Sequence, residues 1–261
     1  MKCKICNSNS GFVFSNKLLS KYEVSYFQCE SCGFIQTEPP YWLDSAYSQS
    51  INISDTGYLI RNTNYSKKMT IFLSCFFRKE LKTKQARFID YAGGYGIFVR
   101  MMRDIGFDYY WIDKYTKNLF ARGFEGSTEY HYDAVTLFEC FEHFVEPINE
   151  IENLVKLSDN IIFSTELATF PAPKPNEWWY YGFEHGQHIS FYTKQSLQYI
   201  AKKFGFHFCS AGSLHFFTKK NVPLWLIFLL KFTRIEIQKK ILRNLESKVW
   251  TDYEYCKRIC E

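Results

Sequence analysis

The 261-residue sequence lacks any apolar run long enough to cross a bilayer. Its longest, Val222 to Leu230, is about half of the ~20 residues a spanning helix needs, which predicts a packed or partner-facing helix. The first ten residues, MKCKICNSNS, lack the apolar stretch of a secretory signal or anchor, so a cytoplasmic protein is expected. A strong excess of one charge is also missing. Thirty-two Lys and Arg against 27 Asp and Glu leave a net +5, and with no arginine-rich stripe nucleic acid is not an expected partner. The basic segment from Lys231 to Arg243 leaves a peripheral membrane contact open. Nine cysteines, an odd count without a secretory context, argue against a disulfide framework. What is plentiful is core material: 46% of residues are apolar, with 26 Phe and 19 Tyr.

The cysteines carry the most specific local signal. Cys3-x-x-Cys6 and Cys29-x-x-Cys32 close the two ends of a short segment, the spacing with which two turns present four thiolates to one tetrahedral metal. Gly33 and Asn7 follow the two pairs and accept the left-handed backbone that turns N–H groups toward sulfur. Lys2 and Lys4 offset the charge of four thiolates, and Tyr22–Phe27 alternates as a strand leading into the second pair. A structural Zn2+ in a ribbon-like unit is expected, with a redox dithiol as the alternative. So small a unit buries too little surface to fold without its metal.

From Arg87 the pattern changes. Arg87–Asp90 reads as a strand entering a glycine-rich turn, Ile97–Ile105 as an amphipathic helix, and Tyr109–Asp113 as a second strand, together a βαβ unit. Gly93, Gly94 and Gly96 let backbone approach a ligand, and Asp113 closes the second strand where a carboxylate binds ribose hydroxyls. Two features separate S-adenosylmethionine from a dinucleotide. Val99 stands where the dinucleotide fingerprint needs its third glycine, and Asp90 before the turn crowds a pyrophosphate yet attracts an ammonium.

The run Asp90, Ala92, Gly94, Gly96 resembles the D-x-G-x-G-x-G motif of class I methyltransferases, with alanine for the first glycine. Tyr132–Pro147 resembles the fourth strand and following loop of that superfamily, which implies that the Glu142–His143 pair opens the next helix, with Phe138 and Glu139 as further cofactor-binding candidates. The resemblance covers most of residues 85–220, with Asn160–Thr165 as the fifth strand. It implies an α/β, Rossmann-like sheet with helices on both faces and S-adenosyl-L-methionine as cofactor. The acid-bearing third strand is not recognisable between Asp113 and Tyr132.

Residues 178–193 gather aromatics with His185 and His188 after the fifth strand. The run His188-Ile-Ser-Phe-Tyr-Thr193 resembles a segment of zinc-containing sugar C-methyltransferases, which also begin with a four-cysteine unit; their pattern has Glu where this chain has Gln187. It implies a sugar or glycan-precursor substrate and His188 as the general base, with His185 and His143 in reserve; the alternative for each is a histidine that orients a helix. A hydroxyl acceptor is preferred, with carbon methylation and a catalytically inactive zinc-anchored binding protein as alternatives. The chain divides into a zinc-binding unit at 1–40, a helical linker or lid at 41–84, the cofactor domain at 85–220 and a helical segment at 221–261. In the last, Ile235, Ile237, Ile241, Leu242 and Leu245 are the apolar positions, and either the core or another subunit can receive them.

Overall fold

Side-chain alternation along short strands builds two sheets in the structure, a computed structural model that describes residues 1–48, 55–231, 240–243 and 245–260. The N-terminal sheet starts with β1 (Ser10–Leu18), β2 (Tyr22–Cys29) and β3 (Ile35–Thr37), joined antiparallel. Its fourth strand comes from far along the chain: β8 (Ser190–Phe191) pairs with β3, Ile35 opposite Phe191. Leu18, Val24, Tyr26 and Ile35 share a core with Trp42, Tyr180, Tyr181 and Phe191. The cysteine-bearing unit and the histidine-bearing segment are therefore parts of one packed body.

The larger sheet runs β5-β4-β6-β7-β10-β9. Strands β4 (Phe88–Tyr91), β5 (Tyr109–Ile112), β6 (Ala134–Leu137) and β7 (Asn160–Ser164) are parallel, and the hairpin of β9 (His207–Ala211) and β10 (Leu214–Thr218) adds antiparallel to β7. Both faces are covered. Phe88, Ala134, Ile162 and Phe216 turn to one core, and their neighbours Ile89, Val135, Phe163 and Phe217 to the other. Before the sheet, α1 (Leu43–Ala46), α2 (Tyr58–Phe76) and α3 (Arg78–Lys82) lead in. Helices α2, α4 (Ile97–Ile105) and α7 (Leu224–Lys231) cover the first face. Helices α5 (Pro147–Leu157) and α6 (Lys194–Phe204), with the cysteine knuckles, cover the second. Each large apolar side chain so buried contributes roughly 1.5–3 kcal/mol.

The third strand is reduced to one parallel bridge between Trp111 and Glu125. Helix α8 (Val249–Cys260) packs beside it, with the Tyr255 ring 5.6 Å from that of Phe124. No helix among the described residues is long and apolar enough to cross a membrane. Helix α7 buries Leu226 and Leu230 and exposes Leu224, Trp225 and Phe228. Ile241 and Leu245 pack on the first core, Leu242 is exposed, and Ile235 and Ile237 lie outside the described residues.

Candidate active site

The glycine turn sits at the carboxyl end of β4. Ala92, Gly94 and Gly96 all adopt positive φ, at 61°, 54° and 85°. Glycine is the natural residue at Gly96, where an added Cβ would lie 2.8 Å from Asn118 and 3.0 Å from the Ala121 backbone. Ala92 holds the same left-handed conformation with a Cβ, at a cost of roughly 1–2 kcal/mol. Asp113 fastens the turn from β5: the Gly94 N–H donates to Oδ2 (2.9 Å), and the amides of Tyr115 and Thr116 donate to Oδ1 (2.7 Å each). The Trp111 indole donates to the Gly94 carbonyl at 2.8 Å, and an added Cβ on Gly93 would strike its ring.

Asp90 lies buried beneath the turn, accepting a hydrogen bond from the Thr136 hydroxyl at 2.6 Å. Burial pushes its carboxyl up to about 8, the charge of Asp113 adding and the Thr136 hydroxyl opposing. Two neighbouring carboxylates, with no ion-pair partner for the buried one among the described residues, fit a ligand that brings its own positive charge.

At the end of β6, Glu139 also takes a left-handed backbone (φ 52°). Its Oε1 accepts from Tyr65 and Ser164, each at 2.6 Å, while Phe138 stacks on Tyr65 with centroids 4.2 Å apart. The ends of three adjacent parallel strands, β5, β4 and β6, thus bring together Asp90, Ala92, Gly93, Gly94, Gly96, Asp113, Phe138 and Glu139. Helix α2 supplies two partners that local patterns did not reveal. One is Tyr65; the other is Tyr58, whose hydroxyl overhangs Gly94 and which burial pushes up to about 12.

Just beyond β6 the three histidines meet. The Glu142–His143 pair ends a 3-10 turn (Phe141–His143) before α5 instead of opening that helix, which starts at Pro147. The His188 ring lies 5.1 Å from that of His143 and 4.6 Å from that of His185. His188 donates from Nδ1 to the Tyr180 carbonyl (2.6 Å), which leaves Nε2 as a free acceptor 4.0 Å from Glu142 Oε1. His143 Nδ1 lies 3.0 Å from the Gln187 carbonyl and 2.9 Å from the Tyr47 hydroxyl. At His185, Nδ1 accepts the Gln187 N–H (3.1 Å), so in the neutral ring Nε2 carries the hydrogen. Burial lowers all three, His143 to about 4 and His188 well below its ordinary value. Each is therefore neutral near pH 7.

Glu142 is fully buried, and neither carboxylate oxygen has a hydrogen-bond partner. Burial and then the charge of Glu139 push it well above the carboxylate range, against its own backbone amide and the hydroxyls of Tyr180 and Thr165. Tyr47 joins the two halves of the site, its ring stacked on Tyr115, two residues past Asp113, and its hydroxyl on His143. Two surface cavities of about 260 and 240 Å³ lie instead at the amino ends of the strands, around Arg87 and Asp133, and touch none of these residues.

The four cysteines converge. Cys3 Sγ is 3.7 Å from Cys32 Sγ and Cys6 Sγ 3.4 Å from Cys29 Sγ, and none forms a disulfide. Sulfurs tetrahedrally placed about 2.3 Å from zinc stand roughly 3.8 Å apart, which these separations approach. Asn7 and Gly33 both take the left-handed backbone (φ 61° and 73°), and the amides of Ile5, Ser31 and Cys32 point at sulfur at 3.4 Å. The Cys3 thiol is drawn down to about 5, chiefly by its hydrogen bond from Cys32. Thr193, the N-cap of α6, donates its hydroxyl to the Cys32 carbonyl at 2.7 Å.

Residues 63–210, more than half of the chain, match the family described as "Methyltransferase domain". The chain belongs to the methyltransferase domain family. Its sheet is that of the class I, S-adenosylmethionine-dependent methyltransferases, and the protein is a transferase. No curated protein matches the chain. Similar solved structures include the plantazolicin methyltransferase BpumL with bound SAH, at 14% identity and a TM-score of 0.45, covering 80% of this chain and 91% of that one. Another is magnesium protoporphyrin IX methyltransferase of Synechocystis PCC 6803 with bound SAH, at 12% identity and a TM-score of 0.39, covering 68% of this chain and 94% of that one. A third is an O-methyltransferase family protein from Burkholderia thailandensis, at 15% identity and a TM-score of 0.39, covering 70% of this chain and 68% of that one. The methyltransferase assignment rests on the family match.

Proposed function

We propose that this methyltransferase transfers the methyl group of S-adenosylmethionine to a polar group, foremost a hydroxyl of a sugar or glycan precursor, with His188 as proton acceptor. One observation carries the reading: three histidines and a buried carboxylate gather beside the strand ends that bear the glycine turn. S-adenosylmethionine, when bound, supplies an electrophilic methyl on a sulfonium. Asp113 offers its remaining acceptor capacity to ribose hydroxyls, and Asp90, held protonated by burial, can give up its proton and offer negative charge when the cationic end of the cofactor binds beside it. The amides of the turn and the rings of Phe138 and Tyr65 shape the rest of the cradle.

His188 ranks first among the histidines because its Nε2 lone pair is free, whereas His185 presents a hydrogen there. As the acceptor oxygen bonds to the methyl carbon, its proton passes to His188 and the carbon–sulfur electron pair stays on sulfur. Cys3, Cys6, Cys29 and Cys32 would hold a structural Zn2+ that steadies β3, and through the β3–β8 pairing the segment bearing His185 and His188. The sugar follows only from the likeness at His188–Thr193.

Methyl incorporation into a panel of nucleotide-linked sugars and glycan precursors tests this reading. His188→Ala should lower turnover about 10²- to 10⁴-fold, while affinity for S-adenosylhomocysteine stays within a few-fold. Turnover preserved within a few-fold removes His188 from the role.

A further inference from the structure

We propose that Glu142, His143 and His188 together bind one divalent cation, at a second metal site separate from the four cysteines. One ligand atom from each of the three residues lies within 4.8 Å of the others. Glu142 is the decisive member. A carboxylate with 0% exposure that closes no hydrogen bond on either oxygen has lost its water and keeps only incomplete support from its own amide and the Tyr180 and Thr165 hydroxyls. A cation between it and the histidines supplies that missing partner.

The histidines are oriented as ligands. His188 Nδ1 donates to the Tyr180 carbonyl at 2.6 Å, and His143 Nδ1 faces the Gln187 carbonyl at 3.0 Å. A backbone carbonyl behind one ring nitrogen fixes the tautomer and frees the other nitrogen for a metal, the usual support for an imidazole ligand. Two imidazoles and one carboxylate form a donor set for a first-row ion such as Mn2+ or Zn2+, and three protein ligands leave coordination positions open. Metal–ligand bonds of about 2.1 Å put neighbouring ligand atoms roughly 3 Å apart. The 4.0 Å gap between His188 Nε2 and Glu142 Oε1 would then close by about 1 Å.

The consequence for the reaction rests on the reading that this cluster activates the acceptor. With a cation in place the acceptor hydroxyl would bind an open position, its pKa would fall and its proton would pass to water; with the site empty His188 takes that proton as proposed above, and His188→Ala removes a ligand in the one case and the base in the other.

The test needs neither acceptor nor turnover, so a failed methyl-transfer assay and a failed metal titration are separate results. Full-length protein with its cysteines loaded with Zn2+ is titrated with Mn2+, read by loss of the free-Mn2+ electron paramagnetic resonance signal. Mn2+ suits the purpose because thiolates bind it poorly. Wild type should take up one Mn2+ per chain, displaced by a second equivalent of Zn2+. Glu142→Gln and His188→Gln should each weaken uptake at least 100-fold while the cysteine-bound Zn2+ remains, and thermal melting confirms that both variants are folded. Absence of Mn2+ uptake together with a single Zn2+ equivalent in wild type overturns the proposal. So does uptake that is unchanged in both variants.

Discussion

Replacing Asp252 by alanine should destabilise the protein by about 3 kcal/mol, because it strips a buried guanidinium of its bidentate partner. Arg103 on α4 is 4% exposed and donates from Nε and Nη2 to the two Asp252 oxygens at 2.7 Å each, with the Asp252 side chain 7% exposed. At that depth solvent hardly screens the pair. Breaking a buried pair from one side costs about 3–5 kcal/mol. The lower end applies here, since Arg103 keeps the Tyr109 carbonyl (2.9 Å), the Asp108 carboxylate (3.1 Å) and the Phe124 ring 3.6 Å away. Urea unfolding should show the loss as a lower midpoint at constant slope, and Tm should fall by roughly 6–12 °C. Replacing both, Arg103→Met with Asp252→Leu, should restore part of the stability, because it removes the stripped buried charge but leaves Arg100 without Asp252 and Asp108 without Arg103. A loss below about 1 kcal/mol for Asp252→Ala would show that this pair does not hold α8 against the strand-poor edge at Phe124.

Asp113→Ala should weaken S-adenosylhomocysteine binding by about 10- to 100-fold in calorimetry, the worth of hydrogen bonds to a charged group; an unchanged Kd assigns Asp113 to holding the turn alone. Because burial raises Asp90 from 3.8 to about 8, its contribution to stability is full below pH 3.8 and is lost as pH rises through about 8. Asp90→Asn should flatten that part of the stability–pH curve of the cofactor-free protein, and an identical curve would refute the assignment. If the four cysteines hold Zn2+ as proposed, Cys29→Ser should release it, lower Tm and speed hydrogen exchange at the β3–β8 pair. Exchange unaltered at Ile35 and Phe191 would uncouple the metal unit from the histidine segment.

Much of this site was readable from spacing alone. Two Cys-x-x-Cys pairs, a strand ending in Asp90 and a run of small residues are short-range patterns, and the backbone they demand is local: Asn7, Gly33, Gly94 and Gly96 all take the left-handed conformation they are suited to. Ala92 stands where the resembled motif has its first glycine, and the structure shows why the position matters, since Ala92 sits at φ 61°. The third strand stayed invisible in sequence because it survives as a single bridge at Glu125, too short for any period to show.

By itself, then, the sequence marked the strands around Tyr22–Phe27, Arg87–Asp90, Tyr109–Asp113 and Asn160–Thr165, the glycine turn and the two Cys-x-x-Cys turns, all consequences of side-chain alternation and of φ preferences within a few residues. Tertiary structure alone decided which distant groups meet. Thr193 reaches Cys32 across 161 positions, Tyr65 reaches Glu139 across 74, and Tyr47 reaches His143 across 96. Glu142 belongs to the same class: its neighbours in the chain say nothing of whether a carboxylate is wet or dry. Only the packing of β6, the 3-10 turn and the β8 segment around it removes its water and leaves both oxygens without a partner.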